Sequence, residues 1–254
     1  PHRLPIKSWK QELTFAGAGL TGMTLYYLME NIALTYSQAS NVGVIVSIAP
    51  VFTAITAHIF LKEEGKLRPA FFMGCVIALI GISLISFSGT TMHLNPIGDL
   101  LSVGGAIIWS FYSVLSKKIG SFGYSVVQAT RRTFFYGILF MIPALFIFDF
   151  KWDLIRFATP AYLFNIFYLG LGASAICFVT WNMAVRILGA IKTSVYIYLA
   201  PVVTAVTSVI ILHEKITFLS GLGILLVVGG LLLSEQKKKF FSIRGRKQAE
   251  NVIE

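Results

Sequence analysis

The sequence predicts an all-α polytopic membrane protein: eight transmembrane helices belonging to a ten-helix fold of two inverted five-helix repeats. Three observations carry that reading. The composition is 56% hydrophobic and 13% charged, with a mean hydropathy of +0.77, whereas soluble domains carry roughly 25% charged residues. Eight apolar runs follow one another, each about 16 to 23 residues long, the length of a helix that crosses ~30 Å of hydrocarbon. The chain also repeats itself. Residues 39–64 (ASNVGVIVSIAPVFTAITAHIFLKEE) are written again at 190–215 (AIKTSVYIYLAPVVTAVTSVIILHEK) at a constant offset of 151. That register aligns Ala49-Pro50-Val51 with Ala200-Pro201-Val202, Thr53-Ala54 with Thr204-Ala205, and Glu63 with Glu214; extended backwards it aligns Asn31 with Asn182 and Ala33 with Ala184. A repeat of this kind sets the architecture before any single element is read.

Taken in order, residues 1–12 are polar and basic. Apolar spans follow at 13–34, 42–61, 70–87, 100–115, 133–148, 162–184, 191–212 and 218–234. Their hydrophobicity is continuous rather than alternating, which selects helices over a closed barrel as the means of satisfying backbone polar groups in lipid. The first span is too long for a cleaved signal peptide and is not followed by a soluble domain. Two cysteines, Cys75 and Cys177, fall inside apolar runs and read as small buried hydrophobes, because neither metal-ligand spacing nor a disulfide framework exists.

The net charge of +10 is a matter of topology. With residues 1–12 placed in the cytoplasm, 18 of the 21 Lys and Arg residues fall on that side; Lys151, Arg156 and Lys215 are left outside. A bias this lopsided predicts that both chain ends are cytoplasmic, in an integral protein of the plasma (inner) membrane. It also removes the case for nucleic acid as a partner, since no nucleic-acid-binding fold surrounds the basic residues. The expected partners are the lipid bilayer and a small-molecule substrate, and a homodimer is left open.

Spans one to three match spans six to eight and run in opposite directions across the membrane. The second copy owns two further spans, 100–115 and 133–148, ahead of its matching part; the first copy has no equivalents. The expectation is therefore a first repeat at 1–96 represented by its last three helices, a second repeat at 97–235 with all five, and a cytoplasmic basic tail at 236–254. Two further helices are expected ahead of the first residue, which is Pro1 rather than Met.

The residues now in view resemble the EamA branch of the drug/metabolite transporter superfamily. They are Glu30-Asn31-x-Ala33-Leu34-x-Tyr36, Ala39-Ser40-Asn41, Ala49-Pro50, Leu61-x-Glu63 and Gly74-x6-Gly81 in the first part. In the second they are Trp181-Asn182-x-Ala184, Leu188-Gly189-Ala190, Tyr196-x-Tyr198-x-Ala200-Pro201, Leu212-x-Glu214 and Gly223-x6-Gly230. The resemblance implies a secondary transporter, and more narrowly an exporter, of small organic metabolites or amino-acid-like solutes, working by alternating access. The alternative is a non-transporting membrane subunit, sensor or channel.

Individual residues carry two readings each. Pro50 and Pro201 lie about ten residues into their spans, near the midplane, and each removes one helix hydrogen bond; they are candidate gating hinges around a central cavity or structural kinks. Glu30, an acid within a span, is a functional candidate by default or a hydrogen-bonded structural acid. Trp181 is a candidate site residue or an interfacial anchor, and Asn31 and Asn182 are ligands or interhelical hydrogen-bonders. Trp109 and Tyr112 share one helix face; Tyr196 and Tyr198 precede Pro201, and Ser47 lies three residues before Pro50. Aromatic rings with polar tips suit the wall of a site for organic solutes, or simply pack. Glu63 and Glu214 read as helix-end contacts, and the four repeated glycines as helix packing. The sequence contains no Walker A sequence, HExxH or nucleophile elbow, so the expectation is neither an enzyme nor a holder of metal or cofactor.

Overall fold

The computed structural model describes residues 8–61, 68–87, 95–148, 158–212 and 217–235. Glu63, Glu214, the histidines His2, His93 and His213, and the basic tail lie outside them. Among the described residues every regular element is helical. Among the described residues, seven helices are long and apolar enough to cross a membrane. The first predicted span is not one of them, although residues 9–36 are helical without interruption. Within that span Glu30, Asn31, three threonines and Gly17, Gly19 and Gly22 dilute the apolar character.

That first path begins as α1 (Trp9–Gly19), N-capped by the Ser8 hydroxyl, which accepts from the Lys10 N–H. It widens to π geometry over Leu20–Leu25 and returns to α2 (Tyr26–Tyr36). A second helix has the same make-up: α8 (Pro160–Phe167), a π segment at Tyr168–Ile176, then α9 (Cys177–Leu188). Moved by the 151-residue offset, the first π segment falls at 171–176, inside the second. A π bulge turns the helix face that follows it, and such bulges gather at functional sites.

The proline helices are broken rather than bent. α3 (Ala39–Val46) ends in a turn at Ser47–Ile48, and α4 (Ala49–Phe60) starts afresh with Pro50 in its first turn. A proline there gives up an N–H that would have had no intrahelical partner. The turn is tightened by i→i+3 bonds, from the Ile48 N–H to the Ile45 carbonyl and from Val51 N–H to Ile48. In the matching place α10 (Ala190–Val195) passes through one 3₁₀ turn, Tyr196–Tyr198, before α11 (Leu199–Leu212) with Pro201 third. Gly189, at φ 95°, permits the sharp junction between α9 and α10.

Two packed clusters fill the bundle. One joins α5 (Pro69–Ser86) and α12 (Phe218–Glu235) to the proline helices around Ala54, Cys75, Ile82, Val195, Tyr198 and Val227. The repeated glycines face each other across it: Gly81 lies against Gly223 and Gly74 against Gly230. A Cβ on Gly81 would sit 2.6 Å from the Gly223 carbonyl, and the reverse distance is also 2.6 Å. The helices touch backbone to backbone, which only glycine allows. The other cluster joins α1, α6 (Pro96–Gly120), α7 (Val126–Ile147) and α9 around Phe15, Tyr112, Ile119, Ala129 and Phe178. α6 is the central post, packing on α1 to α4 and on α9. Its buried Ser102, Ser110 and Ser113 each donate back to a carbonyl three or four residues earlier, at 2.8, 2.6 and 3.0 Å, which satisfies the hydroxyls without water.

Candidate functional site

Between α2, α6 and α9 lies a cavity of about 280 Å³. α2 contributes Tyr26, Tyr27 and Glu30; α9 contributes Cys177, Phe178 and Trp181; Trp109 comes from α6 and Ala173 from the second π segment. The 151-residue offset takes Tyr26, Tyr27 and Glu30 onto Cys177, Phe178 and Trp181. The same three positions of the two sequence copies thus form facing walls, each beginning directly after a π segment.

Trp109 is the hub of the wall. Its ring centroid lies 4.8 Å from Tyr26, 5.1 Å from Tyr112, 5.2 Å from Trp181 and 5.9 Å from Phe178, all tilted or edge-on. Such arrangements place ring edges against ring faces, the favoured sense of the aromatic quadrupole. The Trp109 and Trp181 indole N–H groups are buried and have no acceptor. Glu30 lies beside the Tyr26 side chain one turn before it, and Tyr27 beside Ser174. Among the described residues on the cavity, Glu30 is the one that is charged.

Behind the wall, Asn182 ties three helices together. Its Oδ1 accepts from the Tyr112 hydroxyl at 2.7 Å and from Ser116 at 2.6 Å, and its Nδ2 donates to Thr130 at 2.9 Å. Tyr112 is fully buried, and its ring lies so close to Gly22 that a side chain there would overlap it. A small void of about 20 Å³ lies beside this network, between Tyr124 and Arg186.

At one end of the bundle a polar cluster closes the same helices. Buried Glu12 on α1 receives Arg132 of α7 through Nε at 2.8 Å and Nη2 at 2.7 Å, and also accepts from the Tyr136 hydroxyl. Beside it Tyr124 donates to Gln11 at 2.9 Å, and Arg186 of α9 donates to the Tyr124 carbonyl at 3.0 Å. Glu30 lies roughly 25 Å farther along its helix from Glu12 at 1.5 Å per residue.

Of the residues singled out in the sequence, Glu30, Trp109 and Trp181 line the cavity, and Tyr112 and Asn182 stand directly behind it. The others are placed elsewhere. Asn31 is exposed and donates to the Tyr27 carbonyl of its own helix at 2.7 Å. Ser47 is buried and bonds back to the Gly43 carbonyl at 2.7 Å. Pro50 is buried in the α3–α4 break, and Pro201 is half-buried. Tyr198 is fully buried beside Cys75 in the α5–α12 cluster, and Tyr196 is 40% exposed beside Glu235. Tyr198 therefore belongs to a different core from that of Trp109. Cys177 departs from its sequence reading: it is exposed, on the cavity wall, while Cys75 is buried. Tyr26 and Tyr27 went unremarked in the sequence, although Tyr26 stands one turn before an intramembrane acid. Glu12, Arg132 and Tyr136 gave no local signal, because they meet across 120 and 124 residues.

Comparison with known proteins now bears on this arrangement. The chain is 27% identical over 222 residues to an uncharacterized transporter of Archaeoglobus fulgidus, covering 86% of this chain and 74% of that one. It is 28% identical over 245 residues to the uncharacterized transporter YvbV of Bacillus subtilis, covering 94% and 76%. It is 26% identical to a probable terminal-alkyne amino-acid exporter of Streptantibioticus cattleyicolor, covering 86% and 71%. One crystal structure superposes with a TM-score of 0.72 over 90% of this chain and 76% of that chain, at 22% identity, which is a likeness of fold. Apolar helices and transporter relatives together make this an integral membrane protein. The model of the EamA-like transporter family matches residues 1–87 and 96–235, and the chain belongs to that family.

Proposed function

We propose that the chain is a secondary transporter that exports small organic solutes by alternating access through the cavity between α2, α6 and α9. The observation that carries this reading is the matched wall: Tyr26, Tyr27 and Glu30 opposite Cys177, Phe178 and Trp181, the same positions of two sequence copies. A site that must face each side of the membrane in turn is well served by inverted copies meeting at it. The chain is then read as two repeats, residues 1–96 and 97–235, with both ends in the cytoplasm of an inner-membrane protein. Transport draws on a gradient, since the sequence holds no Walker A motif. The amino-acid exporter among its relatives supports an amino-acid-like or otherwise nitrogenous solute. The broken helices at Pro50 and Pro201 serve as hinges, and the Glu12–Arg132–Tyr136 cluster as the closed gate at one end.

The test is solute flux in reconstituted vesicles, using a labelled metabolite panel with and without an ionophore. At least one solute should move down or against an imposed gradient, and Trp109→Ala and Trp181→Ala should each reduce that flux at least tenfold. Flux that survives both substitutions would remove the cavity from the pathway.

A further inference from the structure

Resting on the reading of this cavity as the transport site, we propose that it takes a small organic amine in its ammonium form, in preference to the corresponding amino acid. The charge inventory points that way. Among the described residues that line the cavity, Glu30 is the one charged group, and no Lys, Arg or His joins it. Its near partner is the neutral Tyr26 hydroxyl. Among the described residues the ion pair of the bundle is Glu12 with Arg132, at the far end of α1 and α7. A carboxylate set on an aromatic wall is costly without a counter-cation, and none of the described residues lining the cavity supplies one, so the guest is the partner that completes it.

The rest of the wall selects the same sign. Tyr26, Tyr27, Trp109, Phe178 and Trp181 line the same cavity as the acid, and aromatic faces attract a cation within ~6 Å and repel an anion. Among the described residues the wall holds no cation to receive the carboxylate of an amino acid. Its two indole N–H donors are packed away from the void. An ammonium on an apolar or aromatic body satisfies both halves of the site: the charge lies by Glu30 and the body against the rings. An amino acid brings the same ammonium together with a second, unmatched charge.

The experiment uses the purified 254-residue chain in nanodiscs of uncharged lipid, with the fluorescence of Trp109 and Trp181 as the reporter. Phenethylamine, phenylalanine and 2-phenylethanol share one ring and differ in charge. Phenethylamine is expected to give a saturable change, with phenylalanine and 2-phenylethanol each binding at least tenfold more weakly. Glu30→Gln should weaken the amine at least tenfold and leave the alcohol unchanged. The ranking in the unaltered protein stands even if that variant folds poorly. Equal or tighter binding of phenylalanine or of the alcohol overturns the proposal, as does an amine affinity indifferent to Glu30→Gln or the absence of saturable amine binding. The two readings fail differently. Flux that depends on Trp109 and Trp181 without amine binding keeps the cavity and discards the charge assignment. Amine binding with flux indifferent to those tryptophans keeps a cation site and discards the pathway.

Discussion

Asn182 accepts two hydroxyl hydrogen bonds and donates a third, so its removal strands the Tyr112 and Ser116 hydroxyls together and takes one partner from Thr130. Interhelical hydrogen bonds within membranes are worth ~0.6 to 2 kcal/mol each, and buried polar groups left without partners add to that loss. Asn182→Leu is therefore expected to destabilise the bundle by about 2–4 kcal/mol. Thermal unfolding in detergent, followed by tryptophan fluorescence, would show it as a lowered midpoint. Asn31 holds the matching position in the other copy but is exposed and bonded within its own helix. Asn31→Ala should change stability by no more than ~0.5 kcal/mol. Equal effects of the two substitutions would contradict the network. The repeat in the sequence shows that these asparagines correspond, but their letters cannot show that Tyr112 and Ser116 stand beside only one of them. The same limit applies to Tyr198, whose aromatic character fits a cavity wall and a core equally well, and which lies in the core beside Cys75.

At the scale of elements, glycine spacing was the most readable signal. Gly74-x6-Gly81 and Gly223-x6-Gly230 predict close helix approach, and α5 and α12 meet through those residues. Any side chain at Gly81 or Gly223 must push carbonyl backbone aside, so Gly81→Leu should part the helices. The expected outcome is loss of monodisperse protein on size exclusion, whereas Gly229→Ala, which faces open space, should behave as wild type. The seven spans were legible for a similar reason, since length and apolarity are set by the bilayer. The π segments were not. Leu20–Leu25 and Tyr168–Ile176 have ordinary apolar sequences, and their widening depends on what the helix packs against. The prolines were legible as interruptions but not as the starts of new helices. Because Pro50 occupies a first turn, Pro50→Ala should insert and fold as wild type while slowing flux if the α3–α4 break is a hinge. Wild-type flux in both Pro50→Ala and Pro201→Ala would make the breaks purely architectural.

For the molecule as a whole, the proposed alternating access requires that the helix ends govern which side of the membrane reaches the cavity. Glu12, Arg132 and Tyr136 join α1 to α7, and Arg186 joins α9 to the link before α7, so charge-assisted bonds tie α7 to the two helical paths that carry facing cavity walls. Salt bridges with a buried acid depend on both partners; removing one leaves an uncompensated charge and is destabilising by ~3 kcal/mol or more for that arrangement. Arg132→Ala should therefore disfavour the present closure relative to one that wets Glu12. The chain already contains a reporter. Cys177 is exposed on the cavity wall, and Cys75 is buried and serves as an internal control. Under the orientation set by the Lys and Arg distribution, the Glu12 end faces the cytoplasm. A membrane-impermeant maleimide should then label Cys177 from the external side in the wild type. In Arg132→Ala, labelling from the cytoplasmic face, measured on inverted vesicles, should rise at least fivefold while external labelling falls. Glu12→Gln should shift the balance in the same direction, because it breaks the same pair from the other partner. An increase on both faces together would mean a loosened bundle rather than a gate, and unchanged labelling on either face would show that this cluster does not govern access to the cavity.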